Sequence, residues 1–267
     1  MSGLFVFDFD GVVCDSARET GISAWKAGRK LWKEWAEEHP PAAALQRFCQ
    51  LRPFLETGYQ AVGMMRMAMD HPALPRELTV DDVVEWIESF YAEQGMTRED
   101  MVTLFGQTRD EWITADPAGW LGEHRFFPGV VDLLTRLRAR GDVVILSTKQ
   151  ERFIHQLLAG AGLDFSSESV FGLERQAPKK VTLAQFVKDR GDDAAPVCFV
   201  EDRLETLEDV MGVPDLAGVK LFLVDWGYST DEQRRRAADT DRIHWLRAAE
   251  SADWVSDLTA AGSLEGR

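Results

Sequence analysis

Hydrophobic positions along the chain fall into two regimes. Residues 4–7 (Leu-Phe-Val-Phe), 142–147, 168–171, 196–201 and 219–224 form short apolar runs rich in β-branched and aromatic side chains, the mark of buried strands. Helical periods separate the later runs at 129–140, 151–161, 179–189 and 203–210. Strand alternating with helix predicts right-handed crossovers and an α/β fold, with a mainly parallel sheet covered on both faces. From about 17 to 121 the pattern is helical, with no convincing strand. Ile22, Trp25, Trp32 and Trp35 fall on one face of a first helix that Pro40-Pro41 stops. Further helices are expected around 42–50, 53–70, 80–94 and 97–114, broken by His71-Pro72, Pro75 and Gly95. An all-helical insert of this length has the size of a domain. The chain therefore divides into a core of 1–16 and 122–262, a helical domain of 17–121, and a frayed tail of 263–267.

Composition narrows the partners. The formal charge of -15 sets the protein's field against a phosphate backbone and argues against nucleic acid. A small phosphorylated metabolite stays possible, because a metal and a few local cations can reverse that field within one cleft. No apolar stretch reaches the ~18–20 residues that span a bilayer, so no membrane association is expected. Met-Ser-Gly precedes the first strand directly, which leaves no room for a signal peptide. Cys14, Cys49 and Cys198 are odd in number and lack metal spacing, so they read as reduced thiols in a cytoplasmic protein; separately, a monomer or homodimer is expected. Trp25, Trp32, Trp35, Trp86, Trp112 and Trp120 all lie in the helical insert, as do Met64, Met65, Met67 and Met69; core packing is the expected role for both sets.

The first apolar run ends in Asp8-Phe9-Asp10-Gly11, two carboxylates one residue apart followed by a glycine turn. Acids this close resist joint ionisation unless a cation neutralises them or one keeps its proton. A strand simply ending in solvent is the competing explanation. The other runs end in the same kind of chemistry. Residues 143–146 lead to Ser147-Thr148-Lys149, and 196–200 lead to Glu201-Asp202, with Pro178-Lys179-Lys180 at a helix start between them. Ligands of open α/β sheets collect beyond the carboxyl ends of strands, so these groups can converge.

Strand-end acids, hydroxyl, lysine and strand-end acids, in that order, resemble the four motifs of the haloacid dehalogenase (HAD) superfamily. The resemblance covers residues 1–16 and roughly 122–262 and implies a Rossmann-like core with an all-α cap inserted after the first strand. It further implies a phosphatase, in which Asp8 is the nucleophile, Asp10 the general acid and base, Ser147 a phosphoryl contact and Lys179 the motif lysine. Lys179 is preferred to Lys180 because it directly follows Pro178. Mg²⁺ is the implied cofactor, held by Asp8, the backbone carbonyl of Asp10 and Asp202. Glu201 is a further candidate ligand, and Glu205 an outer acid holding water or orienting Lys179. The family's second acid often stands four residues after the first, where this chain has Thr206, so the third protein ligand stays open.

Thr148 and Lys149 are candidate substrate contacts. Arg52, in Leu51-Arg52-Pro53-Phe54-Leu55-Glu56-Thr57-Gly58-Tyr59, is another, either presented to a substrate anion or paired with Glu56 at i,i+4. The expected reaction is hydrolysis of a small phosphomonoester of the phosphoglycolate, sugar phosphate or nucleotide type. A 2-haloacid dehalogenase would lack the second Asp, and a phosphomutase would keep both. A non-catalytic binding protein on this fold would be expected to lose Asp8 or the motif lysine.

Overall fold

The structure is a computed structural model and describes residues 3–73, 78–191 and 195–261. Pro75 and the tail 263–267 lie outside the described residues. The chain runs from β1 (Leu4–Phe7) through the two-residue β2 (Cys14–Asp15) into six helices. These are α1 (Ala17–Leu31), α2 (Ala42–Leu51), α3 (Gln60–Asp70), α4 (Val80–Glu93), α5 (Arg98–Ala115) and α6 (Pro117–Gly122). After β3 (Arg125–Phe126), helices and strands alternate: α7 (Val130–Arg138), β4 (Asp142–Leu146), α8 (Glu151–Gly160), β5 (Val170–Phe171), α9 (Lys179–Arg190) and β6 (Val197–Glu201). Then come α10 (Leu204–Met211), β7 (Lys220–Val224), α11 (Asp231–Ala238), β8 (Ile243–Leu246) and α12 (Trp254–Ala261).

Two compact units emerge: Met1–Asp15 with Phe126–Arg267, and Ser16–Arg125. The first unit is built on a six-stranded sheet in the order β5-β4-β1-β6-β7-β8, parallel at every pairing. β1 lies between β4 and β6, so the chain's first strand is central and its Phe5, Val6 and Phe7 are buried. Strand order reverses about β1, the topological switch point where such sheets open a crevice. One face is filled by Val6, Phe199, Leu204, Leu207, Leu221 and Leu223, among others. β8 and its flanking helices extend the fold beyond the elements the sequence pattern marks. His244 and Trp245 interrupt the apolar run of this edge strand, which hides its period.

The second unit is helical, and its core is aromatic and methionine-rich. Trp25, Trp32, Trp35, Met64, Met65 and Met67 are buried in it, while Met69, Trp86 and Trp112 pack against it partly buried. Two expectations are corrected here. The first helix stops at Leu31 rather than running to Pro40. Trp32 is extended (φ -115°, ψ 110°), and the chain folds back so that Trp35 stacks on Trp25, ring centroids 4.5 Å apart and planes 9° apart. Gly28 makes the room: a Cβ there would stand 2.2 Å from the Trp35 ring. The helix expected over 53–70 begins only at Gln60, because Pro53 lies in a 3-10 turn over Arg52–Phe54 and Leu55 is extended.

Candidate active site

Asp8, Ser147 and Glu201-Asp202 stand at the carboxyl ends of the neighbouring strands β1, β4 and β6. Parallel register brings them together: Phe7 pairs with Ile145 on one side and Val200 on the other. The Asp8 amide donates to the Val200 carbonyl at 2.9 Å, extending the ladder by one residue before the chain turns. Gly11 supplies the turn at φ +92°, and the amides of Val13 and Cys14 both close on the Phe9 carbonyl. A side chain at Gly11 would be strained and would also strike Asp202, whose Oδ2 lies 2.0 Å from the position of a Cβ.

Among the described residues, Asp8, Glu201 and Asp202 are buried and offer ligand oxygens within 4.8 Å of one another. Lys179 enters this group from the first turn of α9, its Nζ 2.9 Å from Asp8 Oδ1 and 2.7 Å from Glu201 Oε2. Lys180 points elsewhere and pairs with Asp209 at 3.3 Å. Burial pushes the Asp8 carboxyl up to about 7; Lys179 opposes this, and Glu201 and Asp10 add to it. Glu201 is raised as well, first by burial and then by Asp202, against the pull of Lys179. Burial also works against the Lys179 ammonium, but Asp8 and Glu201 outweigh it and hold the lysine charged.

Lys149 follows β4 and reaches Asp10, Nζ to Oδ1 at 3.1 Å. Ser147 is buried, and its Oγ accepts the Lys149 amide at 3.2 Å; Thr148 is exposed. Glu205 does not orient Lys179. Its Oε1 accepts from Gln233 Nε2 at 2.6 Å, and Glu201 holds the lysine instead. The other Glu201 oxygen accepts the Arg203 amide at 3.2 Å. Arg52 belongs to the helical unit, where its Nη1 donates to the Leu55 carbonyl at 3.4 Å.

Sequence reasoning missed a segment that follows β7. The Tyr228 amide donates to Asp202 Oδ2 at 2.7 Å, and the Tyr228 hydroxyl contacts Asp15 Oδ1 at 2.7 Å. Trp226 Nε1 donates to the Val12 carbonyl at 3.1 Å. A strand ending in Asp225-Trp226-Gly227-Tyr228 was a visible signal, since it places another loop at the same edge of the sheet.

Comparison with known proteins agrees with this fold. The chain aligns over 97% of its length with 99% of a predicted phosphatase from Clostridium acetobutylicum, at TM-score 0.61 and 15% identity. A predicted phosphoglycolate phosphatase from Haemophilus somnus aligns over 95% of this chain and 96% of its own, at TM-score 0.60 and 15% identity. Likeness at this identity shows a shared fold. No curated protein matches the chain. No helix among the described residues is long and apolar enough to cross a membrane. The family model for haloacid dehalogenase-like hydrolases matches residues 3–208, from the first strand past the buried acids of β6, and the chain belongs to that family.

Proposed function

We propose that the protein is a Mg²⁺-dependent phosphatase that hydrolyses a small phosphomonoester through an aspartyl-phosphate on Asp8. The observation that carries this reading is the buried group of Asp8, Glu201 and Asp202 with Lys179 bridging Asp8 and Glu201. With all four carboxyls ionised, Asp8, Asp10, Glu201 and Asp202 would set four negative charges against the two positive ones of Lys149 and Lys179, a surplus that one divalent cation would neutralise. Oxygen donors of this kind suit Mg²⁺. Held by Asp8, the Asp10 carbonyl and Asp202, Mg²⁺ would offset charge between the nucleophile and the phosphoryl oxygens.

The chain's own groups supply the rest. An Asp8 oxygen bonds to phosphorus as the bond to the leaving oxygen breaks, and Asp10 gives that oxygen its proton. Asp10 then takes a proton from the water that attacks phosphorus, releasing inorganic phosphate and restoring Asp8. Ser147 donates to a phosphoryl oxygen, and Lys179, steadied by Glu201, offsets the charge that gathers there. Choice of leaving group is assigned to the helical unit acting as a cap, with Arg52 and the exposed Thr148 as candidate contacts.

The test is hydrolysis across a panel of phosphorylated metabolites with Mg²⁺ and with EDTA. Phosphoglycolate comes first, because a solved relative carries that name. Phosphate release that needs Mg²⁺ is expected. Chloride release from a 2-chloro acid under EDTA, without phosphate release from any ester, would replace this reading with dehalogenation.

A further inference from the structure

The loop between β7 and α11 makes four separate approaches to the site, and all converge on two neighbours. The Tyr228 amide holds Asp202 Oδ2 at 2.7 Å. The Tyr228 hydroxyl and the Trp226 indole hold Asp15 in β2 and the Val12 carbonyl in the turn that follows Asp10. Gly227 lies so close that a Cβ would stand 2.3 Å from Asp202 Cβ and 2.5 Å from the Gly11 carbonyl oxygen. From the opposite side, a Cβ on Gly11 would meet the Asp202 carboxylate and the Tyr228 ring. Two glycines thus let the loop, the turn and the Asp202 side chain pack against one another.

The loop is itself well anchored. Trp226 packs on Trp254, ring centroids 4.5 Å apart. The Asp225 amide donates to the Leu246 carbonyl, and Asp225 Oδ1 accepts the Ala248 amide. Thr230 and Gln233 form a reciprocal cap at the start of α11. Such a loop can impose a position on its neighbours.

We infer that Trp226, Gly227 and Tyr228 are positioning residues for the cation pocket, fixing the Asp202 carboxylate and the Asp10 turn relative to each other. The inference rests on the Mg²⁺ reading above. Asp202 and the Asp10 carbonyl lie beyond the ends of β6 and β1, whose pairing brings the strand ends together but stops at Val200 and the Asp8 amide. The loop touches Asp202 itself and, on the other side, Gly11 and Val12, which directly follow Asp10. A backbone donor on one carboxylate oxygen also fixes which oxygen remains to face a cation, as outer-shell partners do in metal sites generally.

The test is calorimetric titration of Mg²⁺ into metal-stripped protein, comparing wild type with Gly227→Ala and Trp226→Phe. Leu216→Ala, a truncation of a fully buried side chain in the core on one face of the sheet, is the stability control. Gly227→Ala is expected to weaken Mg²⁺ binding about tenfold or more, and Trp226→Phe by a smaller factor, while Leu216→Ala lowers the melting temperature without changing affinity. Turnover of Gly227→Ala should recover towards wild type at saturating Mg²⁺, leaving the substrate KM little changed. Wild-type affinity in Gly227→Ala overturns the inference while the Mg²⁺ reading stands. A wild-type protein that binds no Mg²⁺ overturns both. Equal weakening in Leu216→Ala and Gly227→Ala would mean that the loop acts through stability alone, and also overturns it.

Discussion

Lys149 and Asp10 are joined by an ion pair, Nζ to Oδ1 at 3.1 Å and to Oδ2 at 3.4 Å, although they lie on different strand ends. The lysine side chain is 7% exposed, so solvent screens the contact little. The pair aims the carboxyl that the proposed mechanism uses as proton donor and acceptor. Lys149, which the sequence offered as a candidate substrate contact, meets Asp10 in the structure. Lys149→Met should lower kcat by about 10–100-fold, the range of one charge-assisted hydrogen bond. Mg²⁺ affinity should hardly change, because Asp10 is assigned to the cation through its backbone. Unaltered kcat in steady-state assays would remove Lys149 from this role.

Asp8→Asn should abolish turnover, on the order of a thousandfold or more, because an amide cannot open the reaction as a carboxylate does. The circular dichroism spectrum should be retained. Appreciable phosphate release from the purified variant would transfer the nucleophile elsewhere.

Mg²⁺ binding should depend on pH through Asp8. Burial raises this carboxyl from 3.8 to about 7 in the metal-free protein. A carboxyl with a raised folded-state pKa favours the fold below its unfolded pKa, and that contribution is lost as pH rises through about 7. A cation that ligates the ionised form reverses the cost and displaces a proton. Mg²⁺ affinity should therefore rise from pH 5.5 to about 7 and then level. Calorimetry at pH 6 in buffers of different ionisation enthalpy should register release of about one proton. Affinity flat across that interval would contradict the assignment.

Gly28→Ala should destabilise the helical unit. Helix propensity alone would gain up to about 1 kcal/mol. The added methyl, however, would occupy the place of the Trp35 ring at 2.2 Å and crowd Trp32 at 2.9 Å. Overpacking of this kind costs about 1–3 kcal/mol, so the net effect should be a loss. Urea titration followed by tryptophan fluorescence reads it directly, and a higher midpoint would show that the ring has room to move.

Much of the site was legible because its residues end apolar runs. Asp8, Ser147, Glu201 and Asp202 sit where a strand's hydrophobic period stops, and a parallel sheet delivers all such stops to one edge. What escaped reading was set by distance in space. Nothing local marks Tyr228 as the partner of Asp202, or Lys149 as the partner of Asp10. Glu19 is a sharper case. Its position within α1 suggests a solvated helix face, yet it is fully buried, accepting hydrogen bonds from Ser23, Trp120 and Arg109. A buried carboxylate needs such donors, and they come from residues that sequence spacing does not connect. The fold-back at Trp32 was hidden for a related reason: Ile22 and three tryptophans at helical spacing look alike whether the helix continues or the chain returns on itself.

The central place of β1 also governs the order in which the protein can assemble. Leu4 has Asp142 and Val197 as its neighbours in the sheet, so β1 must wait for residues made long afterwards. The helical unit is continuous in sequence and carries its own core, so it can fold while that wait lasts. Closing the sheet then requires pairing at long sequence separation, the slow kind of contact. β1, which leads to Asp8, is made well before β4 and β6 that flank it, so Asp8, Glu201 and Asp202 can gather only once those later strands exist.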